Sequence, residues 1–413
     1  MHILLIHQYF LEDNAAGGSR WNEMARVWVR EGHAVTVIAG DVHYMQEQSG
    51  GEMREHFEIR ENAYGVRLIR CSGSRHYHNC FAGRLLSYIS FALAATYAGL
   101  RFANSSYDCM IVTSPPLLVG IPGLLLSRLK HIPLVLEIRD LWPESAIEMG
   151  VLKNKWLIRL SCRFEKYLYR KAKLINVLTP AFRERLIHDK GVEPGKIVMV
   201  PNAADFRLSE RALHSVCTSG LRARLGLEGK FVIIYVGAHG LANDLMQLVE
   251  AATRLHGTNA HFLLVGDGMK KKMIMEEAGC RQLSNISFLA PVSKEEIIEY
   301  IVMADIGVAV LKKAAIFKTV YSNKTFDYLS CKKPVLMAID GVSRELIERA
   351  EAGMFAEPGN PADMAEKIRL YMNDPELLHK HGKNGYRFVH THFNREELAK
   401  DFLKRIENQF IVT

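Results

Sequence analysis

The chain has 413 residues, 48% hydrophobic and 24% charged, with a formal net charge of +8. That length exceeds one ordinary core and predicts two domains of about 200 residues each, and the apolar content excludes a disordered chain. The seven cysteines are scattered, odd in number and never spaced as Cys-x-x-Cys, which argues against a disulfide framework or a zinc site and for a reducing compartment.

Residues 2–7 read as a fully buried strand, followed by a loop to Gly17, Gly18 and Ser19. No basic segment precedes this apolar run, so a secretory signal is not expected. A helix follows with apolar positions Trp21, Met24, Ala25, Trp28 and Val29, stopped at Glu31, Gly32 and His33, and then a second apolar strand at 34–39. Strand, helix, strand at this spacing is a βαβ unit, which requires a parallel sheet. The run 85–100, uncharged between Arg84 and Arg101, falls short of the roughly 18 to 20 residues of a membrane span and reads as a buried or interfacial helix. Strands at 109–113, 133–138 and 174–178 then alternate with helices at 117–129 and 156–172.

The stretch 205–230 carries no strong pattern and is the expected linker. Beyond it the alternation restarts, with strands at 231–236, 260–265, 286–289, 306–310 and 334–338 and helices at 245–255, 270–278, 294–303 and 325–330. The expected fold is α/β, with two Rossmann-like doubly wound parallel-sheet domains at 1–204 and 205–390. Such sheets deliver ligands to the carboxyl ends of their strands, so an interdomain cleft is expected between them. Residues 391–413 are expected as a C-terminal helix packing back on the first domain.

Ser322, Asn323, Lys324 and Asp327 form the segment richest in chemistry. Ser322 or Asn323 can cap a short helix whose N-H groups attract phosphate, and Lys324 adds a full positive charge beside them. Asp327 lies one turn further on the same face and, as a pure acceptor, suits the hydroxyls of a ribose. The alternative is a capped surface helix with a Lys–Asp pair. Gly17 and Gly18 either permit a tight turn or let a donor phosphate approach the backbone, and Arg20 is a phosphate ligand or a solvated charge. No G-x-G-x-x-G is present, which disfavours a dinucleotide cofactor. Asp-x-Asp and His-Glu-x-x-His are also missing, so no metal is expected. Aromatic and basic residues are not interleaved, so no nucleic-acid partner is expected. Arg75, Arg84, Arg101, Arg128 and Lys130 flank the apolar segments 85–100 and 117–126, which suits an anionic membrane surface, with core burial of the same helices as the alternative.

Several short motifs occur in order: Gly17-Gly18; Gly32-His33-Ala34-Val35-Thr36-Val37; Val200-Pro201-Asn202-Ala203-Ala204-Asp205; Val236-Gly237; Leu264-Val265-Gly266-Asp267-Gly268; Asn285-Ile286-Ser287-Phe288-Leu289; and Lys333-Pro334-Val335. This order resembles the retaining family-4 glycosyltransferases of GT-B fold. The segment Glu137-Ile138-Arg139-Asp140-Leu141-Trp142-Pro143-Glu144 is similar to a branch that builds bacterial surface polysaccharides, including N-acetyl-L-fucosamine transferases of O-antigen synthesis.

The resemblance implies a nucleoside-diphosphate sugar donor, a UDP-sugar first among them, with no further cofactor. It also implies a polyprenyl-linked saccharide acceptor and a cytoplasmic protein peripheral on the inner face of the plasma membrane. A sugar-nucleotide epimerase of the same fold, or a non-catalytic sugar-nucleotide-binding scaffold, stands as the alternative. In the family two glutamates separated by seven residues flank the donor. Asp327 matches the second, which binds ribose, but Thr319 stands at the first. Many relatives carry an Arg and a Lys for the diphosphate in the loop that begins here at Gly237, and this chain has neither, which leaves Lys324 as the main cation. Arg139 holds the place of the family's His near the sugar, and Asp140 beside it is the candidate for acceptor contact or base. The implied catalytic set is Lys324, Arg139 and Asp140. The donor set is Gly17, Gly18, Arg20, Gly237, Ser322, Asn323, Lys324 and Asp327.

Overall fold

The computed structural model describes residues 1–12, 20–41, 56–74 and 81–410. The chain divides into two compact units, one of Met1–Leu11, Ser19–Pro201 and Glu396–Thr413, the other of Glu12–Gly18 and Asn202–Arg395.

The first unit runs β1 (His2–Ile6), α1 (Arg20–Arg30), β2 (Ala34–Gly40), β3 (Phe57–Glu61), β4 (Arg67–Cys71), α2 (Phe81–Arg101), β5 (Cys109–Ser114), α3 (Gly120–Leu129), β6 (Leu134–Ile138), α4 (Glu144–Glu148), α5 (Lys155–Lys171), β7 (Leu174–Val177), α6 (Pro180–His188) and β8 (Ile197–Met199). Its sheet has the order β3-β4-β2-β1-β5-β6-β7-β8 and is parallel except for β3 on β4. The inner strands are mostly apolar and buried almost throughout because helices cover both faces. Helix α1 ends where Gly32, at φ +89°, adopts the left-handed conformation. The Gly32 and His33 N-H groups then donate back to the Val29 and Trp28 carbonyls at 3.0 Å, and this Schellman closure turns the chain into β2.

The second unit runs α7 (Phe206–Ser215), α8 (Thr218–Arg224), β9 (Phe231–Val236), α9 (Met246–Arg254), β10 (Ala260–Val265), α10 (Lys271–Cys280), β11 (Ile286–Leu289), α11 (Lys294–Met303), β12 (Ile306–Val310), α12 (Asn323–Ser330), β13 (Val335–Ala338), α13 (Val342–Ala350), β14 (Gly353–Phe355), α14 (Pro361–Asn373) and α15 (Pro375–His392). Its sheet, β11-β10-β9-β12-β13-β14, is parallel throughout. Tyr235, Phe262, Leu248, Val249 and Ile368 centre its core. The last helix, α16 (Arg395–Phe410), belongs almost wholly to the first unit. There Phe402 and Ile406 are buried beside Trp21 and Trp28, and Trp28 Nε1 donates to the Ala399 carbonyl at 2.9 Å.

In each sheet the strand order reverses beside the first strand, between β1 and β5 in one unit and between β9 and β12 in the other. The carboxyl ends at those two points are where doubly wound sheets accept ligands.

The stretch 205–230 is not a linker. Asp205 caps α7 by accepting the Arg207 N-H at 3.1 Å, and Phe206, Leu208 and Ala212 are buried as α7 packs on α11 and α12. Its apolar face is real but diluted by Ser, Arg and His. Strands β3, β4, β8 and β14 also escape the sequence reading, β3 because it is exposed and charged, β4 because Arg67 and Arg70 interrupt its apolar run, and the others because they are three residues long.

Candidate functional site

In the second unit, β9 and β12 pair only at Ile233 with Ile306 and Ile234 with Gly307, and then part. The Tyr328 hydroxyl fills the opening, accepting the Val236 N-H at 3.0 Å and donating to the Val308 carbonyl at 3.3 Å. Gly307 permits this, since a Cβ there would lie 2.3 Å from the Tyr328 ring. The bridge fixes α12 at the carboxyl end of β9 and places Lys324, one turn before Tyr328, beside Gly237.

The half-buried Lys324 Nζ lies 3.5 Å from the Tyr235 hydroxyl and 4.6 Å from its ring centroid. Gly237 sits at φ +129°, and a Cβ on it would come within 3.4 Å of Lys324 Cε and 3.6 Å of Nζ, so a side chain there would crowd the ammonium. Burial pulls the Lys324 pKa down to about 8, against the opposing charge of Asp327. Ser322 is the residue before α12, but its side chain makes no capping bond, and Asn323 opens the helix. The Thr325 Oγ1 on this first turn is buried without a hydrogen-bond partner among the described residues. Uncapped N-H groups beside an ammonium are an anion site.

Sequence reasoning missed three residues here. His239, in the loop after β9, is fully buried with both ring nitrogens unpartnered among the described residues. Its pKa is lowered to about 4, first by burial, then by the charge of Lys271, with Lys324 acting in the same direction. Lys271 Nζ is held on the Gly266 and Leu289 carbonyls at 2.8 and 2.9 Å. The third is Lys294, whose Nζ lies 2.7 Å from both carboxylate oxygens of Asp327. Asp327 is therefore paired with a lysine. His239 stood alone as the histidine of its loop, but Lys294 and Lys271 are ordinary first-turn lysines and carried no signal. Thr319, at the position of the family's first glutamate, is buried and donates to the Ile316 carbonyl at 2.6 Å.

In the first unit, the ends of β1, β5, β6 and β7 carry a buried polar row of His7, Thr113, Glu137 and Asn176. Arg20 joins this row. It is 3% exposed, its Nη2 lies 3.0 Å from Glu137 Oε2, and its guanidinium also donates to the carbonyls of Val200 and Pro201 at 2.8 and 2.6 Å. The expectation that Arg20 binds phosphate is corrected on this ground: its donors close the core between α1 and the strand ends. Asn176 Nδ2 adds a bond to Glu137 Oε2 at 2.8 Å.

Arg139 is half-buried, with Nη1 3.4 Å from His7 Nε2, while His7 Nδ1 is 2.6 Å from the Thr113 hydroxyl. Burial, and then the Arg139 charge, hold His7 neutral by lowering its pKa well below the usual value. The Asp140 carboxylate accepts from the Ser145 hydroxyl at 2.8 Å and so anchors α4, and burial raises its pKa. Gly17 and Gly18 lie outside the described residues. Among the described residues no group of three His, Cys, Asp or Glu could hold a metal ion.

Two doubly wound parallel-sheet domains, the second with a lysine ammonium at its strand ends, are the architecture of the GT-B glycosyltransferases. Residues 16–203 match the family described as glycosyl transferase 4-like domain, and residues 220–388 match glycosyl transferases group 1. The chain is thus a glycosyltransferase, its first domain similar to the 4-like family and its second to group 1. It is similar to WcaI of Escherichia coli (strain K12), named as a colanic acid biosynthesis glycosyl transferase, with 23% identity over 94% of this chain and 95% of that one. Among solved structures, sucrose-phosphate synthase from Thermosynechococcus elongatus shares the fold at TM-score 0.76 and 17% identity, with both chains fully covered. Anabaena HepE, solved in complex with UDP-glucose, shares it at TM-score 0.71 and 16% identity over 99% of this chain and 100% of that one.

Proposed function

We propose that the chain is a retaining glycosyltransferase that moves a hexose, N-acetylated or deoxy, from a UDP-sugar to a polyprenyl-linked saccharide. The setting is assembly of a bacterial O-antigen or capsule, at the anionic inner face of the plasma membrane. The observation that carries the donor half is the Lys324 ammonium held beside Gly237 at the uncapped start of α12. That arrangement suits a diphosphate leaving group, whose developing charge the ammonium and N-H groups stabilise more than the ground state. The UDP-glucose complex of HepE supports the choice of nucleotide, and the colanic acid name of WcaI supports the polysaccharide setting. Residues 137–144 keep the N-acetyl-L-fucosamine transferases as the reading of the sugar.

Asp327 is assigned to the ribose, with Lys294 orienting its carboxylate. Gly17 and Gly18 are assigned to close approach of the donor, on sequence grounds alone. Arg139, steadied by His7, is assigned to the sugar, and Asp140 to the acceptor hydroxyl, where burial favours the proton-holding form a general base must reach. No protein nucleophile is assigned.

The test is incubation of the purified chain with a panel of UDP-sugars and a polyprenyl-linked acceptor extract. UDP release that depends on the extract, with the donor's anomeric configuration kept in the product, is expected. Turnover of the donor without acceptor would point to an epimerase instead.

A further inference from the structure

The first unit carries a surface that no step of sugar transfer uses. Helix α5 turns Glu165, Leu168 and Tyr169 inward and leaves Trp156, Leu160 and Tyr167 at 78%, 65% and 38% exposure. At about 100° per residue those three fall within about 40° of one another, a single apolar stripe along the helix. Cations border it, Lys155, Arg159, Arg163, Lys166 and Arg170 along one side and Lys171 on the other, and all are exposed. Three of their charged groups lie over the rings, with the Arg159 guanidinium 5.8 Å from the Trp156 centroid and those of Arg170 and Lys171 within 5.7 Å of the Tyr167 centroid. The one acidic residue of α5, Glu165, is buried and paired with Lys190 at 2.8 Å.

The stripe does not stand alone. Helix α3 packs on α5, and α2 packs on α3. Helix α2 buries Phe91, Ala92, Ala95 and Ala98 but exposes Leu86, Ile89, Leu93, Tyr97 and Leu100, again on one face, and α3 exposes Leu125 and Leu129. Neither α2 nor α3 contains an acidic residue. Three adjacent helices therefore present apolar side chains with basic residues and no exposed acid among them. A second copy of the chain placed face to face would oppose like charges, whereas an anionic bilayer complements both features. Among the described residues no helix is long and apolar enough to cross a membrane, which leaves a surface contact.

We infer that α5 is the membrane anchor of this protein, seated in the headgroup layer of an anionic bilayer with Trp156 and Leu160 inserted and its flanking arginines and lysines on lipid phosphate, while α2 and α3 extend the contact. The inference deepens the proposed function, which requires a membrane-borne acceptor, by naming the element that meets the lipid. Arg84, Arg101, Arg128 and Lys130, which the sequence singled out, then extend the surface along α2 and α3.

The experiment uses the full chain with phosphatidylcholine vesicles, neutral or containing about a third phosphatidylglycerol, at low and high salt. Co-sedimentation with the anionic vesicles alone is expected, weakened by salt, together with a blue shift of tryptophan fluorescence that Trp156→Phe removes. Arg159→Glu plus Arg163→Glu should lower vesicle affinity by about tenfold or more. Equal binding to neutral vesicles, a blue shift that persists in Trp156→Phe, unchanged affinity in the charge reversal, or self-association without vesicle binding would each overturn the inference. UDP binding by calorimetry in vesicle-free buffer should be the same for native chain and variants. That control shows the variants are folded and separates failure of the anchor from failure of the donor reading.

Discussion

The Lys294 ammonium grips Asp327 at 2.7 Å on both carboxylate oxygens, with the two side chains only 14% and 16% exposed. The pair ties the start of α11 to α12, the helix that carries Lys324. A carboxylate held this way is pre-oriented for ribose hydroxyls, and it also needs its cation to stay charged in a poorly hydrated place.

Lys294→Ala should therefore destabilise the fold by about 1 to 3 kcal/mol, less than a wholly buried pair because both side chains retain some solvent. Urea unfolding measures this. Asp327→Asn should weaken binding of UDP but affect its 2'-deoxy form less, since the lost contact is to ribose hydroxyls. Equal losses for the two nucleotides would remove the ribose from Asp327 and leave only the ion pair.

Arg20→Ala should cost about 3 to 5 kcal/mol of stability, because Glu137, 0% exposed, loses its buried partner. Calorimetry on the folded variant should show UDP affinity unchanged. A variant of native stability with weakened UDP binding would return Arg20 to the donor.

His239 sets a pH dependence. Its folded pKa of about 4 lies below the usual 6.5, so the unfolded chain takes up the proton first as pH falls. Stability is then full above about pH 6.5 and is lost as pH drops towards 4, by on the order of 3 kcal/mol for this one group. His239→Gln should flatten that part of the profile, read from urea midpoints between pH 7 and 4. The same slope in the variant would show that other groups cause it.

The doubly wound pattern was legible where strands are buried on both faces. The strands at 231–236, 260–265, 286–289 and 306–310 fall where the apolar runs predict them. The 205–230 stretch was not legible, because Asp205 and the apolar face of α7 are recognisable only once α11 and α12 lie beside them. At the candidate site, Lys324 and Gly237 were expected from local motifs, and the structure brings them together. Lys294, Lys271 and His239 could not, since their roles come from residues brought near by the sheet. Arg20 was misread for the converse reason: an arginine opening a helix looks solvated until its partner, Glu137, is known to end a strand beneath it.

The most direct test of the account is calorimetric titration of UDP into the native chain and Lys324→Ala at pH 7 and at pH 9, with thermal melting to confirm that both are folded. A hydrogen bond to a charged group is worth about 1.5 to 3 kcal/mol, so the variant should bind roughly 10 to 100 fold more weakly at pH 7. Since the free lysine loses its proton near pH 8, and a bound diphosphate favours the charged form, native affinity should fall towards the variant's as pH rises past 8. Equal affinity of the two proteins at pH 7 would contradict the assignment of Lys324 to the donor diphosphate, and with it the site on which the proposed reaction rests.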